Sequence, residues 1–289
     1  MSVTSSTKGA AFRLFHHART HENTVVVRTR NSRSRTLSGV QRLFSFLPPL
    51  GLALLLFMGW YAVTASGRVN RLLLPTLADV FSSLMDGLQS GIFWSNALVT
   101  LQESISGFLL ALVIALPLGY GVAKSRLLAN TLQPYLAAGS AIPAIVIAPF
   151  LGLWLGFGIL PVMFVCMLIV LFPMVVNTIL GVQTIDPALL DAARVEGAAG
   201  LPLLVHIEFP LALPAVLAAV RSGFTLSITG ALVGEFVCSP DKGLGALVQI
   251  GLHQYNAPLM FATVLVLTVL AALYYAATWL LVRLAAAIY

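Results

Sequence analysis

Long apolar stretches that contain few charges follow one another along most of this chain. Six of them approach the roughly 20 residues that a helix needs to cross a membrane. Their apolar residues do not alternate with polar ones, which excludes an outer-membrane β-barrel. The pattern predicts an all-α, polytopic membrane protein with six transmembrane helices. These helices are expected at residues 47–66, 99–123, 132–155, 159–181, 211–237 and 259–284.

The pattern also predicts the form of two connecting segments. Residues 75–90 place their leucines and Val80 on one helical stripe, which indicates a helix lying at the outer membrane surface. The third and fourth spans are separated only by a glycine-rich turn near Leu155, Gly156 and Gly158. We therefore expect these two spans to form a tight helical hairpin.

Composition supports the membrane assignment and limits what the chain does alone. Of its 289 residues, 59% are hydrophobic and 9% are charged, whereas a soluble domain has roughly 45–50% and 25%. This excludes a soluble enzyme and leaves no room for a large soluble domain. The chain has no GxxxxGK[ST] phosphate-binding loop. We expect no catalytic activity, and ATP hydrolysis would have to come from a partner subunit.

Positive charge is concentrated at the N-terminus. Residues 1–46 contain eight Lys and Arg residues but only one acidic residue, Glu22, while the rest of the chain is nearly neutral. The pattern predicts a disordered, basic, cytoplasmic tail that anchors the first span, with lipid, RNA or partner binding as the alternative. Lys and Arg are enriched on the cytoplasmic side of membrane proteins. If the N-terminus lies inside the cell, most Lys and Arg residues of this chain fall on that side, and six spans then return the C-terminus to it. Both termini are therefore predicted to be cytoplasmic.

Neither the cysteines nor the histidines form a metal-binding pattern. Cys166 and Cys238 lie in apolar runs without a CxxC spacing, and the five histidines are scattered. We interpret the cysteines as packing residues and expect no metal site.

One polar segment, residues 182–210, differs from the other loops. Asp186 followed by Pro187 is typical of a helix start, and small residues share one face of the short helix that follows. Gly200 and Pro202 are expected to break the segment, and Pro210 to end it before the fifth span. The simplest interpretation is an interfacial helix that rests on the membrane.

The loop resembles the EAA loop of ATP-binding-cassette (ABC) importer permeases. The matching positions are Asp191, Ala192 and Ala193, then Gly197, then Ile207 and Phe209–Pro210, with Asp in place of Glu and Phe in place of Leu. Other segments resemble landmarks of the permease subfamily that serves sulfonates, taurine, nitrate, bicarbonate and thiamine-precursor pyrimidines. They are residues 104–125, 141–158, 172–182, 213–224, GEF at 234–236 and GLG at 243–245.

The resemblance implies an architecture and a set of partners. The fold would be that of a type I, MetI-like permease, with the permease domain at residues 67–289 after a first transmembrane helix at 47–66. The chain would form a homodimer in the bacterial cytoplasmic membrane, bind two ABC ATPase subunits and receive its solute from a periplasmic or lipid-anchored binding protein. ATP and Mg would be held by the ATPase, with no cofactor on this chain and no nucleic-acid partner.

The resemblance also assigns roles to individual residues. The loop helix would dock into a cleft of the ATPase. The predicted coupling residues are Pro187, Asp191, Ala192, Ala193, Arg194, Glu196, Gly197, Ile207 and Pro210. For Arg194, an ion pair with the partner and a solvated position are equal alternatives.

Polar residues within spans are candidates for the translocation pathway because they are expensive to bury in lipid. The candidates are Ser140, Pro143, Arg221, Ser222, Thr225, Thr229 and Glu235. Each polar candidate has an alternative role. The hydroxyl groups would form hydrogen bonds between helices equally well. Arg221 would extend its charge to the membrane interface, and Glu235 would be a structural group at the outer mouth. Gln102 and Glu103 are expected at the outer surface, in contact with the binding protein or solvated.

A stand-alone secondary transporter or channel is the alternative function. Such a protein is expected to show inverted repeats of interrupted spans with charges at the midplane. The chain contains no second copy of the loop or of Arg221. The solute itself, a small anion or a small polar heterocycle, is not determined by the sequence.

Overall fold

The computed structural model describes residues 39–239 and 241–288, and most of them are helical. The chain divides into two units, with the boundary after Leu56. Helix α1 (Gly39–Ala65) begins inside the stretch predicted as a tail, and residues 1–38 of that tail lie outside the described residues. The second unit holds the other elements. They are α2 (Leu77–Gln89), α3 (Ile92–Lys124), α4 (Arg126–Ala141), α5 (Ala144–Leu155), α6 (Ile159–Gln183), α7 (Pro187–Val195), α8 (Gly200–Leu203), a π-helical turn (Leu204–Glu208), α9 (Phe209–Cys238), α10 (Leu244–His253) and α11 (Ala257–Ile288).

Four helices in the described part of the chain are long and apolar enough to cross a membrane. They correspond to the second, fourth, fifth and sixth predicted spans and lie at Ile92–Lys124, Ile159–Gln183, Gly200–Cys238 and Ala257–Leu280. The first predicted span falls within α1, a helix of 27 residues. The all-α, multi-pass class is confirmed, whereas the count of six spans stays a prediction.

The third predicted span, residues 132–155, is not one straight helix. Helices α4 and α5 meet at an angle of 95°, with Ile142 and Pro143 in extended conformations between them. A proline disfavours the helical conformation of the residue before it and has no amide hydrogen to donate. Pro143 therefore turns the expected single span into a bent pair.

The predicted helix within residues 75–90 and the predicted tight turn are confirmed, whereas the position of the helix at the outer membrane surface stays a prediction. Helix α2 lies within residues 75–90 and begins with a capping box, in which the Thr76 hydroxyl accepts a hydrogen bond from the Asp79 amide at 3.2 Å. Helix α5 ends at Leu155, and α6 begins four residues later. Gly156 and Gly158, with φ angles of +81° and +119°, make the reversal between them, because glycine adopts such angles without strain.

Helices α3, α6 and α9 form the centre of the second unit, where small residues let them approach closely. Cys166 on α6 lies between Gly107 on α3 and Gly230 on α9. A Cβ atom at Gly107 would lie 2.6 Å from the Cys166 sulfur, and one at Gly230 would lie 2.8 Å from the Cys166 Cα. Cys166 and Cys238 are both buried, unpaired thiols, which confirms their role in packing. Close contact between small residues is the usual source of stability between membrane helices.

Helix α11 attaches to this centre through aromatic and hydroxyl contacts. The Tyr274 ring stacks on Phe224 of α9 with 3.9 Å between ring centroids. Its hydroxyl group lies 3.0 Å from the Ser227 hydroxyl, within hydrogen-bond distance. The last span is thereby held along α9.

Replacing Gly107 by Ala should destabilise the protein, because the added methyl group meets Cys166 at 2.6 Å. Overpacking of this kind lowers the free energy of unfolding by about 1–3 kcal/mol. Gly59→Ala is the matched control, since nothing lies within 4 Å of the place its added methyl group would take. Thermal unfolding in detergent, followed with a thiol-reactive dye that reports exposure of the two buried cysteines, measures both variants. Equal midpoints for the two would contradict the close packing at Cys166.

Candidate functional site

The loop between the fourth and fifth spans folds into the short helix α7. The Asp186 carboxylate accepts a hydrogen bond from the Ala188 amide at 2.9 Å, and Pro187 occupies the first helical position. The helix ends before Glu196, and Gly197 reverses the chain with a φ angle of +92°. The helix start predicted from Asp186 and Pro187 is confirmed.

One side of α7 faces outward. Most of the predicted coupling residues are on it, namely Pro187, Asp191, Ala192, Arg194, Glu196 and Gly197, which are all exposed. Two apolar side chains accompany them: Val195 is 88% exposed and Leu189 is 51% exposed. This surface therefore carries charged, small and apolar side chains together.

Arg194 has a partner within the helix. Its Nη1 atom lies 2.9 Å from the Asp191 carboxylate, one turn earlier, and both side chains are largely exposed. Such a pair contributes little to stability, so both charges are available to a partner.

Three of the predicted coupling residues face the chain itself. Ala193 is buried together with Leu190 on the inner side of α7. Ile207 is half-buried and packs against the apolar cluster that includes Leu190 and Val182. Pro210 is also half-buried. These side chains seat the loop on the spans.

The expectation that Pro210 ends the loop is wrong, because the chain continues as helix from Gly200 to Cys238. Pro210 stands at the second position of α9, directly after the π-helical turn Leu204–Glu208. Proline lacks an amide hydrogen, and the wider π-helical turn changes the backbone hydrogen-bonding pattern at this point. The helix therefore continues across Pro210. The last part of the loop, from Gly200 onward, and the fifth span thus form one continuous helix.

Glu208, which sequence analysis missed, ties this element to the second span. Its side chain is buried, and the residue is 3% exposed. One carboxylate oxygen accepts from the Lys124 ammonium group at 2.7 Å, and the other accepts from the Tyr120 hydroxyl at 2.6 Å. No local pattern predicts this contact, since Lys124 lies 84 residues away. We call Tyr120, Lys124 and Glu208 the loop tether.

A cavity of about 480 Å³ opens beside the loop tether. Its walls are almost entirely apolar and come from α3, α6 and the start of the fifth span. Tyr120 and Glu208 are among the lining residues. The tether is therefore a polar contact at the edge of an apolar cleft.

Three of the pathway candidates form a polar stripe on α9. Ser222, Thr225 and Thr229 follow one another at spacings of three and four, and all three are exposed. The Thr225 hydroxyl donates to the Arg221 carbonyl at 3.0 Å. We call Ser222, Thr225 and Thr229 the hydroxyl stripe.

The other pathway candidates do not belong to the hydroxyl stripe, although Arg221 directly precedes Ser222. Arg221 donates a short hydrogen bond to the Tyr275 hydroxyl and lies over that ring, 5.2 Å from its centroid. Ser140 and Pro143 are exposed at the bend between α4 and α5, where Ser140 lines a cleft of about 190 Å³ with residues of α6. The structure therefore does not gather all the candidates into one surface.

Two acidic residues depart from their expected positions. Glu235, a pathway candidate, is 1% exposed and accepts a hydrogen bond from the Thr100 hydroxyl at 2.6 Å. Glu103, expected at the outer surface beside the exposed Gln102, is 0% exposed. Both face the interior because the side of α3 that carries Thr100 and Glu103 packs on α9, where the Thr100 hydroxyl donates to Glu235. Within this chain they are not accessible to a solute.

The site consists of the exposed helix α7 and the continuous helix Gly200–Cys238 that follows it, which Glu208 ties to the second span. This defines a multi-pass helical membrane protein. Residues 107–287 match the family of the binding-protein-dependent transport system inner membrane component. The chain belongs to this family, the permeases of ABC transporters.

Individual relatives agree with this family. The chain is 40% identical to the riboflavin transport system permease protein RibX of Chloroflexus aurantiacus, over 82% of this chain and 89% of the relative. It is 32% identical to a probable ABC transporter permease of Haemophilus influenzae, over 82% of this chain and 96% of the relative. The formylaminopyrimidine transport permease ThiX of Halalkalibacterium halodurans is 27% identical, over 82% and 94%.

A solved structure shares the fold. An inward-facing structure of the MetNI methionine ABC transporter matches with a TM-score of 0.59, covering 65% of this chain and 93% of that chain at 22% identity. The MetI-like fold implied by the sequence motifs is thereby confirmed.

Removing the charge of Glu208 should loosen the loop. Glu208→Gln keeps an acceptor for Tyr120 but loses the attraction to Lys124, and we expect the free energy of unfolding to fall by about 1.5–3 kcal/mol. Asp191→Asn, which breaks the exposed pair with Arg194, is the control and should change it by less than about 1 kcal/mol. The thiol-dye unfolding assay measures both, and a larger effect in the control would refute the tether.

Proposed function

We propose that this chain is the membrane subunit of an ABC importer in which two copies form the pathway and two separate ATPase subunits supply the energy. The observation that carries the proposal is the exposed helix α7, which packs through the buried Leu190 on an apolar cluster that includes Ala212 and Val216 of the fifth span. Glu208, in the turn that begins this span, ties it to the second span. A partner that moves α7 would therefore push on the fifth span and, through Glu208, on the second. ATP and Mg would bind to the ATPase and not to this chain.

The outer side of α7 supports the docking of an ATPase. It presents apolar Leu189 and Val195 next to small Ala192 and Gly197. Small residues allow a partner surface to come close, while apolar ones supply buried area. The charged side chains of this helix surround them and set the orientation of the partner.

The hydroxyl stripe supports a pathway shared between two copies. Its three side chains are exposed on a membrane-spanning helix, and polar groups in such helices rarely face lipid. A second copy of the chain would cover the stripe and enclose it around a solute. Rigid-body movement of the two copies would then open the pathway to one side of the membrane at a time.

The solute we propose is a small, neutral or weakly charged heterocycle. The relatives named for riboflavin and formylaminopyrimidine transport favour this class. The hydroxyl stripe carries no charge, and the nearby Arg221 is engaged by Tyr275. Hydroxyl groups donate to and accept from ring nitrogens and carbonyls equally well. A nitrate-like or sulfonate-like anion is the alternative.

The location and orientation of the protein in the cell follow from the same proposal. The protein would lie in the bacterial cytoplasmic membrane with both termini and α7 inside, and a periplasmic or lipid-anchored binding protein would deliver the solute outside. The basic residues of the N-terminal segment 1–46 favour this orientation. In this arrangement residues 67–289 form the permease domain and 182–210 its coupling loop.

Gly197→Asp should release the ATPase. The residue is exposed with a φ angle of +92°, so the substitution strains the backbone and puts a charge on the docking surface. Gly67→Asp is the matched control, since Gly67 has a φ angle of +64° and equally open surroundings but lies far along the chain from the loop. The chain is co-expressed with a candidate ABC ATPase subunit from the same organism and purified by an affinity tag on the chain.

We expect the ATPase to co-elute with the wild type and Gly67→Asp, and to be lost or uncoupled in Gly197→Asp. Purification of an active chain that moves a solute down an ion gradient in liposomes without an ATPase would instead establish a stand-alone transporter.

Removing hydroxyl groups from the stripe should impair transport without dissociating the complex. In Thr225→Val with Thr229→Val, we expect uptake by proteoliposomes to fall by about tenfold. Thr268→Val is the control, since Thr268 is an exposed hydroxyl on α11 that also bonds the backbone. Riboflavin and formylaminopyrimidine are compared with nitrate and taurine, each with its binding protein. Uptake of the anions alone would overturn the proposed solute class.

A further inference from the structure

Two of the sequence landmarks, GEF and GLG, meet at one buried point. Glu235 belongs to the first, and Gly243 and Gly245 to the second. A Cβ atom at Gly243 would lie 2.3 Å from the Glu235 carboxyl carbon, and one at Gly245 would lie 2.7 Å from Oε2. A side chain at either position would therefore occupy the space of the carboxyl group. The two glycines form a cradle for it.

Both oxygens of the Glu235 carboxyl group are bound within this cradle. Oε1 accepts from the Thr100 hydroxyl at 2.6 Å, and Oε2 accepts from the Gly245 amide in a short hydrogen bond. The Thr100 hydroxyl in turn accepts from the Leu244 amide at 2.9 Å. The amides of Leu244 and Gly245, the first two residues of α10, thus donate to Thr100 of α3 and to Glu235. The N-terminus of α10 favours a negative charge on the Glu235 carboxyl group.

A second carboxyl group, that of Glu103 on α3, reaches the same point. It is fully buried and lies one helical turn after Thr100, whose hydroxyl donates to Glu235. When both groups carry a negative charge, neither Glu103 oxygen has a hydrogen-bond partner in the described part of the chain. A buried group left without a partner is strongly destabilising.

Within residues 39–239 and 241–288, no cationic side chain is paired with these two carboxyl groups, since the ion pairs found there involve other carboxylates. The titratable groups packed nearby are the Cys166 thiol of α6 and, beyond Ser104, the Tyr274 hydroxyl of α11. Asp241 and Lys242, on the segment before α10, are exposed. Two negative charges in contact repel strongly in a dry interior, so they do not coexist without a cation or a proton.

We propose that Glu103 and Glu235 form a buried proton-binding site, in which one proton stays on Glu103 and is donated to Glu235. The proton gives Glu103 its missing hydrogen bond and leaves a single negative charge, which Thr100, the Gly245 amide and the N-terminus of α10 stabilise. The shared proton joins α3, α9 and α10. It keeps these three helices together while the loop at the other end of α9 moves.

The wild-type protein in detergent tests the proposal directly. Infrared spectroscopy at neutral pH should show the carbonyl band of a protonated carboxylic acid, and labelling the glutamate carboxyl carbons with a heavy isotope should shift that band. The band should persist into the alkaline range, because the site is closed to water. Absence of an acid band at neutral pH would overturn the proposal, and this measurement needs no variant.

Two variants distinguish a proton from a bound metal cation. Glu103→Gln supplies an amide donor in place of the protonated acid, so we expect it to lose the band while retaining the wild-type unfolding midpoint. Glu235→Gln removes the charged acceptor of three donors and should lower the midpoint. Equal destabilisation by both variants, with a wild-type midpoint that rises specifically with sodium or potassium, would assign the site to a cation instead. Failure of this test leaves the docking of α7 untouched, since α7 is assayed separately.

Discussion

A polar group buried in a membrane protein has no water to bond, and it must find its partner within the protein. This constraint explains which distant parts of the chain are joined. Glu208 meets Lys124 and Tyr120 at one end of the spans. Glu235 meets Thr100 at a second point on the same pair of helices. In both cases an acidic side chain of the fifth span, or of the turn before it, is held by α3.

Close packing gives these polar contacts a rigid frame. Gly107 and Gly230 bring α3 and α9 against Cys166 of α6, so that backbone and sulfur are nearly in contact. Tightly packed interiors do not deform continuously and instead move as units. A displacement of α7 would therefore be transmitted along α9 as a movement of the helix, with the buried contacts at its far end limiting how the helices separate.

Two prolines of the chain, Pro143 and Pro210, affect their helices in different ways. Pro143 breaks the third predicted span into two helices at 95°, whereas Pro210 leaves the fifth span continuous. The same chemical deficiency, a missing amide hydrogen, has opposite outcomes because a π-helical turn precedes Pro210 and extended residues surround Pro143. The sequence pattern predicts a continuous span across Pro143 and a break at Pro210, and the structure shows the reverse, because the surrounding packing decides between a bend and an adjusted turn.

Local sequence was enough to establish the helical membrane class, the positions of most spans to within several residues, the start of α7 at Asp186 and Pro187, and the permease family. Each of these depends on composition or short spacing, such as the continuous apolar runs and the motif that begins at Asp191. Three-dimensional packing was needed to show that Glu103 and Glu235 are buried together and that Glu208 holds the loop. Such contacts join residues as much as 135 positions apart, and no local periodicity records which residue on one helix will face which residue on another.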